Sequence, residues 1–439
     1  RDPPATEQER PGRNPQAHLK GHPALLCRHH GRCHEGSSAP KTEIGAGAQE
    51  KLHTFGSRTE QTLADTEEPK NRRQRSRTGH HHGLACSPPA ITLAPMARRK
   101  ATQPIQEFPL IRQLQRRHER RSPLIRKGIG DDAAVVSIPA SDWAVLTTDL
   151  LTEGIHFDLR TASPASVGYR AAMANLSDVA AMGATPRFLL ISIAIPAAIC
   201  ATEIHALYRG LMSACGQHHV HLIGGDTSAS RQGLFLSITL LGTTARGHAL
   251  FRKGARVGDG IYVTGTLGDS LAGLQLLTYR RAPRRGTRLT KTDRDFLITR
   301  HRHPTARVRE GLWLNQAQLA TAAIDLSDGL SGDLRHVCEA SRVGAEIELP
   351  HLPISPACQA YADNLNMDPS ALALAGGEDY ELLFTVAADD EQKLERQARA
   401  KRFLVTRIGT IRPRRFGLQS LASNGTRTPI PITSYRHFT

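Results

Sequence analysis

The sequence predicts an α+β protein with mixed α/β sheets, built as two successive units behind a polar N-terminal extension. From about residue 105, strand-like apolar runs alternate with helical periods, whereas residues 1–95 sustain neither pattern, and the turn-rich Gly254–Asp259 (GARVGD) interrupts the alternation. The expected organisation is residues 1–104 as an extension, 105–250 as an N-terminal domain and 251–439 as a C-terminal α/β domain.

The extension is rich in Pro, Gly, His and Arg and contains no methionine before Met96. Such a composition cannot bury enough apolar surface to offset chain entropy, so residues 1–95 are expected to be disordered, or to be upstream sequence read through to a start at Met96. Within it, Cys27 and Cys33 stand six apart beside His34, which matches no standard zinc spacing. Arg72, Arg73, Arg75, Arg77 and His80–His82 lack the interleaved aromatics of a single-strand-binding surface and read as a solvated basic tail.

Within the patterned part, Trp143–Asp149 reads as a strand. A helix follows over Pro164–Met182, with Ser163 as its N-cap and Pro164 in its first turn. Phe188–Cys200 is the longest apolar run; it is too short to span a bilayer and is broken by Pro196, so it reads as a buried strand and its exit. A second helix over 202–219 leads to His221–Ile223 and a turn at Gly224, Gly225 and Asp226, and Leu234–Thr243 is the next strand. The second unit opens with a strand at Gly260–Thr264 and a helix over 268–278. Arg280–Arg302 concentrates positive charge without apolar period and is expected to be an exposed loop leading to a helix after Pro304. Ala320–Leu326 reads as a strand, Gly329–Ser341 as a helix, and Tyr380–Ala387, Leu404–Ile411 and Phe416–Leu421 as further strands.

A balance of 57 Lys+Arg against 41 Asp+Glu gives a net charge of +16, which suits polyanionic partners without choosing among nucleotides, phosphorylated metabolites and nucleic acid. Seven irregularly placed cysteines form no disulfide framework or CxxC pair, and no signal peptide is evident, so a reducing cytoplasm is the expected compartment. No membrane partner is expected.

Against this basic background, aspartates recur beside Gly, Ser or Thr in GIGDD (Gly128 to Asp132), TTD (Thr147 to Asp149), NLSD (Asn175 to Asp178), GGD (Gly224 to Asp226) and DLSD (Asp325 to Asp328). Singly, each is most simply a turn or cap; Ser327 and Asp328, for instance, would cap the helix from Gly329. Asp178 is different, because it lies inside a helical pattern and needs a partner if buried. Gathered together, the carboxylates would repel unless cations lay between them, and Mg²⁺ favours such oxygen ligands. Neither GxxxxGK[ST] nor the protein-kinase HRD and DFG set is present. The turn from Gly265 to Gly268 is either a phosphate-receiving helix start or an ordinary strand-to-helix connection. Glu378 and Asp379 in GGEDYE form an acidic turn that either binds a cationic ligand or ends a helix.

In this order the motifs GIGDDAAV, TTDLLTEGIHF, NLSDVAAMGATP, LIGGDTS, GDGIYVTGTLGDSLAG, AIDLSDGLSGDL and GGEDYEL resemble those of thiamine-monophosphate kinases, from Glu107 to Phe438. Single pieces also occur across the wider aminoimidazole ribonucleotide synthetase-like superfamily; the pairing of TEGIHF with GGEDYEL favours the thiamine enzyme. The resemblance implies a two-domain synthetase-like fold whose N-terminal sheets pair in a homodimer. It implies ATP-dependent phosphorylation of thiamine monophosphate to thiamine diphosphate. Several Mg²⁺ ions would be held by Asp132, Thr147, Thr148, Asp149, Asp178, Asp226, Asp325 and Asp328. ATP would meet Gly225, Asp226, Arg252 and Ser327, and thiamine monophosphate would meet His156, Glu378 and Tyr435. No residue is expected to act as acid or base, because the acceptor is a phosphate oxygen already ionised near neutral pH, and the obstacle is repulsion between two polyanions. A nucleic-acid-binding role would instead rest on the basic tail and loop and predict steeply salt-dependent retention, and is not the favoured reading.

Overall fold

The computed structural model describes residues 107–129, 134–278 and 289–431. Contacts divide the chain into Arg1–Thr92 and Leu93–Thr439, and every described residue belongs to the second unit. The expectations for residues 1–95, Asp132 and Tyr435 therefore lie outside the described residues.

Helix α1 (Glu107–His118) and a small ribbon of β1 (Ile125–Lys127) and β2 (Val135–Val136) precede the first main sheet. That sheet is assembled from β3 (Asp142–Thr152), β4 (Thr185–Pro196), β5 (His221–Ser230) and β6 (Phe235–Ala245), in the order β3-β6-β4-β5. Helices α2 (Pro164–Ala181) and α3 (Ala201–Gln217) cover one face. Strict alternation drives this: Leu236, Ile238 and Leu240 of β6 and Leu189, Ile191 and Ile193 of β4 are buried in one core with Ala172, Met173, Leu176 and Val179 of α2. Ser163 caps α2, accepting from Ser166 N–H at 3.1 Å, with Pro164 next, as the sequence predicts. The two helices cross closely enough that a Cβ on Gly210 would meet the Ala165 carbonyl oxygen at 1.8 Å.

The opposite face of this sheet is different. Leu146 and Leu150 of β3 are 65% and 58% exposed, and Leu190 of β4 joins them at 37%. The expected turn at 224–226 is absent, because β5 runs straight through it. The extra residue is absorbed as a bulge between the Leu189–Leu222 and Leu190–Gly224 pairs. Gly225 then lies so near β4 that a Cβ would sit 1.9 Å from the Ile191 carbonyl oxygen. Close approach, rather than a turn, explains this glycine.

The second sheet has seven strands: β7 (Gly260–Thr264), β8 (Ala320–Asp325), β9 (Val343–Glu348), β10 (Leu382–Val386), β11 (Val405–Pro413), β12 (Leu418–Leu421) and β13 (Arg427–Pro429). Its order is β13-β12-β9-β11-β7-β10-β8, antiparallel except where β12 runs parallel to β9. Around it lie α4 (Asp269–Thr278), α5 (Lys291–Arg302), α6 (Val308–Ala317), α7 (Leu330–Ser341), α8 (Pro356–Leu365), α9 (Pro369–Ala375) and α10 (Glu391–Lys401).

Helix α5 corrects the expected loop over 280–302: its part from Lys291 is helical and capped reciprocally by Thr290 and Asp293. Only Leu297 and His301 of this helix are buried, so it has almost no apolar stripe to betray it. Among the described residues no helix is long and apolar enough to cross a membrane.

Candidate active site

Helix α2 joins the two sheets at the site. Thr147 Oγ1 of β3 donates to Asp178 Oδ2 at 2.5 Å, giving that mid-helix carboxylate the partner it needs. The neighbouring Ser177 donates at 2.8 Å to Oδ2 of Asp325, the last residue of β8. Asp149 lies two residues beyond Thr147, on the same side of β3 by strand alternation.

These carboxylates strain against one another. Burial, then the charge of Asp178, pushes Asp149 up to about 6. Burial raises Asp178 as well, opposed by the Thr147 hydrogen bond and by Arg252. Asp325, only 3% exposed, is raised well above the ordinary range by burial and by Asp178, with Asp333 adding repulsion. Asp333 is itself pushed up to about 7 by burial and the nearby Asp328, although it accepts from the N–H groups of Asp328 and Gly329 at 3.2 and 3.1 Å. Arg252 is the cation opposing this set, since it lowers Asp178, Asp325 and Asp333 alike. A row of oxygen donors that repel one another fits a hard divalent cation such as Mg²⁺. Among the described residues, no three His, Cys, Asp or Glu side chains yet converge on one ion-sized point.

A second group surrounds Arg170, one helical stretch earlier on α2. Its guanidinium donates to the His156 carbonyl, to Glu378 Oε1 and, at 3.0 Å, to His301 Nε2. Because arginine only donates, His301 Nε2 must be the lone-pair nitrogen and Nδ1 carries the proton, directed at Ser270 Oγ 3.1 Å away. Burial, Arg170 and Arg302 lower His301 to about 3, so it is neutral here. His156 accepts from Thr152 N–H at 3.0 Å through Nδ1.

Glu378 and Tyr380 both adopt left-handed φ, 64° and 53°. Such conformations persist in side-chain-bearing residues only where the surroundings enforce them. The enforcement is visible: Glu378 N–H donates to Ser327 O at 2.8 Å and Tyr380 N–H to Leu326 O at 3.0 Å, clamping this loop to the end of β8. Tyr380 is buried where Glu378, Asp149 and Asp325 all raise its hydroxyl, so it lies between the two groups.

The fold thus gathers Thr147, Asp149, Asp178, Asp325, Asp328 and Arg252, and sets His156 and Glu378 nearby. Thr148 points elsewhere: its hydroxyl bonds the Ile238 carbonyl at 3.0 Å and Thr239 at 3.2 Å. Gly225 and Asp226 are also apart. The Asp149–Ile238–Ile191–Gly225 row spans three strand spacings, roughly 14 Å, which is beyond the reach of one ion.

Two open readings are settled. The N–H groups of Gly268 and Ser270 at the start of α4 already donate to the Asp379 carboxylate, at 2.6 and 3.0 Å, so this helix start is filled and not a phosphate cradle. Asp379 is a cap, while its neighbour Glu378 faces the site. The helix starting after Gly329 has no side-chain cap from Ser327 or Asp328. Asp333, Arg170 and His301 were not singled out in the sequence. Asp333 shares a motif with Asp328 and was within reach of the same reasoning, but no local pattern marks the other two.

Over 336 residues, 76% of this chain and 100% of its relative, 34% of positions are identical to the thiamine-monophosphate kinase of Bacillus subtilis (strain 168). The chain belongs to the thiamine-monophosphate kinase family. The models of the AIR synthase related protein N-terminal and C-terminal domains match residues 130–244 and 256–419. The crystal structure of thiamine-monophosphate kinase from Stenotrophomonas maltophilia K279a is similar at 37% identity and a TM-score of 0.61, covering 71% of this chain and 94% of that one. A structure described as "AaThiL complexed with AMPPCP and TMP" is similar at 34% identity and a TM-score of 0.59, covering 75% and 96%. Thiamine-monophosphate kinases and this chain therefore share an α+β fold of two AIR synthase-type halves.

Proposed function

We propose that this chain transfers the γ-phosphoryl group of ATP to thiamine monophosphate, forming thiamine diphosphate. The observation that carries this reading is that Thr147 of β3 bonds Asp178 and Ser177 of α2 bonds Asp325 at the end of β8, which brings the carboxylates of Asp149, Asp178 and Asp325 from both halves to one place beside the Arg170–Glu378–His156 group. We assign Asp132, Thr147, Asp149, Asp178, Asp325 and Asp328 to several Mg²⁺ ions, place Asp226 on an ion apart from that of Asp149, leave out Thr148, whose hydroxyl is spent on Ile238 and Thr239, and add Asp333. When bound, Mg²⁺ supplies the charge neutralisation that lets two phosphate groups approach. Arg252, Gly225, Asp226 and Ser327 are the ATP contacts in this reading, and His156, Glu378 and Tyr435 those of thiamine monophosphate. The chain's part is positioning. Thr147 and Ser177 orient Asp178 and Asp325, and Arg252 offsets negative charge. Without an acid–base pair to titrate, the rate depends on how well these groups are held.

Arg170 and Asp178 stand eight residues apart on α2, roughly 12 Å of helix rise. We place thiamine monophosphate along this helix, with its ring system near Glu378 and its phosphate towards Asp178. Incubation with ATP, Mg²⁺ and thiamine monophosphate should yield thiamine diphosphate; folded protein giving none overturns the reading. Glu378→Gln keeps the shape but removes the charge, and should raise KM for thiamine monophosphate while leaving that for ATP unchanged. A rise in the ATP constant alone would contradict the assignment.

We take residues 105–250 and 251–439 as the two domains, 1–104 as an extension, and a reducing cytoplasm as the compartment, in keeping with the free, buried Cys215, Cys338 and Cys358. A homodimer formed through the N-terminal sheets is supported by the apolar side chains of Leu146, Leu150 and Leu190 on the sheet face away from α2. Leu150→Asp should convert the dimer to monomer in light scattering, and an unchanged mass would exclude this face.

A further inference from the structure

Arg170 is nearly enclosed, with 7% of its side chain exposed, and it donates to three separate segments: the loop after β3 at His156, the loop before β10 at Glu378, and α5 at His301. We infer that Arg170, seated by His301, is a positioning residue that fixes the Glu378 carboxylate for the ring system of thiamine monophosphate. This rests on the substrate reading above.

The nearby buried carboxylate of Glu381 provides a contrast. Its side chain is 0% exposed, and both oxygens are consumed by Arg300, Arg307 and Thr264. Glu378 remains 29% exposed, and Arg170 occupies only Oε1. Among the described residues, Oε2 faces His301 Nδ1 at 3.6 Å, too long for a hydrogen bond, and the Nδ1 proton is directed at Ser270 instead. One oxygen is thus held and the other is offered to the site.

The charge balance refines what Glu378 does. Arg170 is paired directly with the Glu378 carboxylate, through Oε1. Glu378 therefore acts as an oriented acceptor for a donor on the substrate ring rather than as a bare counter-ion. Arg170 also ties the His156 backbone to the same point, so both proposed ring contacts share one anchor. A long glutamate side chain left to rotate would lose this alignment, and misplacement on the scale of 1 Å costs about 100-fold.

Steady-state constants for Arg170→Met, Arg170→Lys, Glu378→Gln and the double variant Arg170→Met/Glu378→Gln test the inference, with thermal melts on each. Arg170→Met should raise KM for thiamine monophosphate by roughly 10- to 100-fold with KM for ATP unchanged. Arg170→Lys should recover part of the loss, and the double variant should be no worse than Glu378→Gln alone. Both constants rising together with a lowered melting temperature, or additive losses in the double variant, would reduce Arg170 to a structural role and overturn the inference. If Arg170→Met does not fold, the double variant, which leaves no unpaired charge, carries the test by itself. Wild-type protein lacking activity would instead defeat the substrate assignment, so the two failures are distinct.

Discussion

Asp325→Asn lowers kcat/KM by roughly 10²- to 10³-fold and at the same time raises the melting temperature of the metal-free protein. Both effects come from one cause. Asp325 is buried against Asp178 and Asp333, and its native carboxyl is held well above its ordinary range. Its stabilising contribution is therefore complete below the unfolded carboxylate range near pH 4 and is lost as pH rises through the native value. Above that value, the ionised native cluster stores repulsion that the unfolded chain does not feel. Asparagine keeps an oxygen for Ser177, which now donates at 2.8 Å, while removing the charge. Each kcal/mol of repulsion relieved is worth roughly 2–4 °C in a domain of 150–250 residues. Calorimetry at pH 8 should show the gain, at pH 4 the gain should vanish, and saturating Mg²⁺ should favour the wild type instead. A variant that is both inactive and less stable at pH 8 would show that Asp325 serves the fold rather than a cation.

The sequence made the regular core legible and left its charged interior obscure. Strands β3, β4, β6, β7, β8 and β10 and helices α2, α3 and α7 announce themselves through apolar period, caps and flanking glycines, and they appear within a few residues of expectation. The aspartates were legible as a recurring type, and those of β3, α2 and β8 do assemble. Which of them assemble was not legible, because that depends on register: Gly225 and Asp226 sit at the far edge of the sheet from Asp149. Arg170 and His301 were hidden for another reason. Arg170 meets His301 and Glu378 across more than 100 positions, and nothing within one helical turn distinguishes Arg170 or His301 from solvated residues. Helix α5 failed for the same reason on a larger scale, since its inward face is basic rather than apolar.

That basic face has a measurable consequence at Glu381. The Glu381 carboxylate accepts from Thr264 Oγ1 at 2.6 Å, Arg300 Nη2 at 2.9 Å, and Arg307 Nε and Nη2 at 2.5 and 2.6 Å. It thereby binds α5 and α6 to β7 and β10. Glu381→Ala would leave two guanidinium groups, 13% and 21% exposed, without their counter-ion, although Arg300 keeps Asp269 at 3.6 Å and Arg307 keeps Glu310 at 3.7 Å. Breaking a buried pair by removing one partner costs about 3–5 kcal/mol, whereas replacing all partners with apolar groups of similar size is often neutral. Urea unfolding should therefore show Glu381→Ala to be several kcal/mol less stable, and the triple variant Arg300→Met/Arg307→Met/Glu381→Met much less affected. A single variant close to wild type would mean that Asp269 and Glu310 suffice to hold these arginines. The effect should extend to binding. Arg300 adjoins His301, which seats Arg170 against Glu378, so an α5 released from Glu381 loosens the thiamine-monophosphate site. KM for that substrate should rise in Glu381→Ala even where the protein remains folded, while the ATP constant, set at the carboxylate end of α2, should change less.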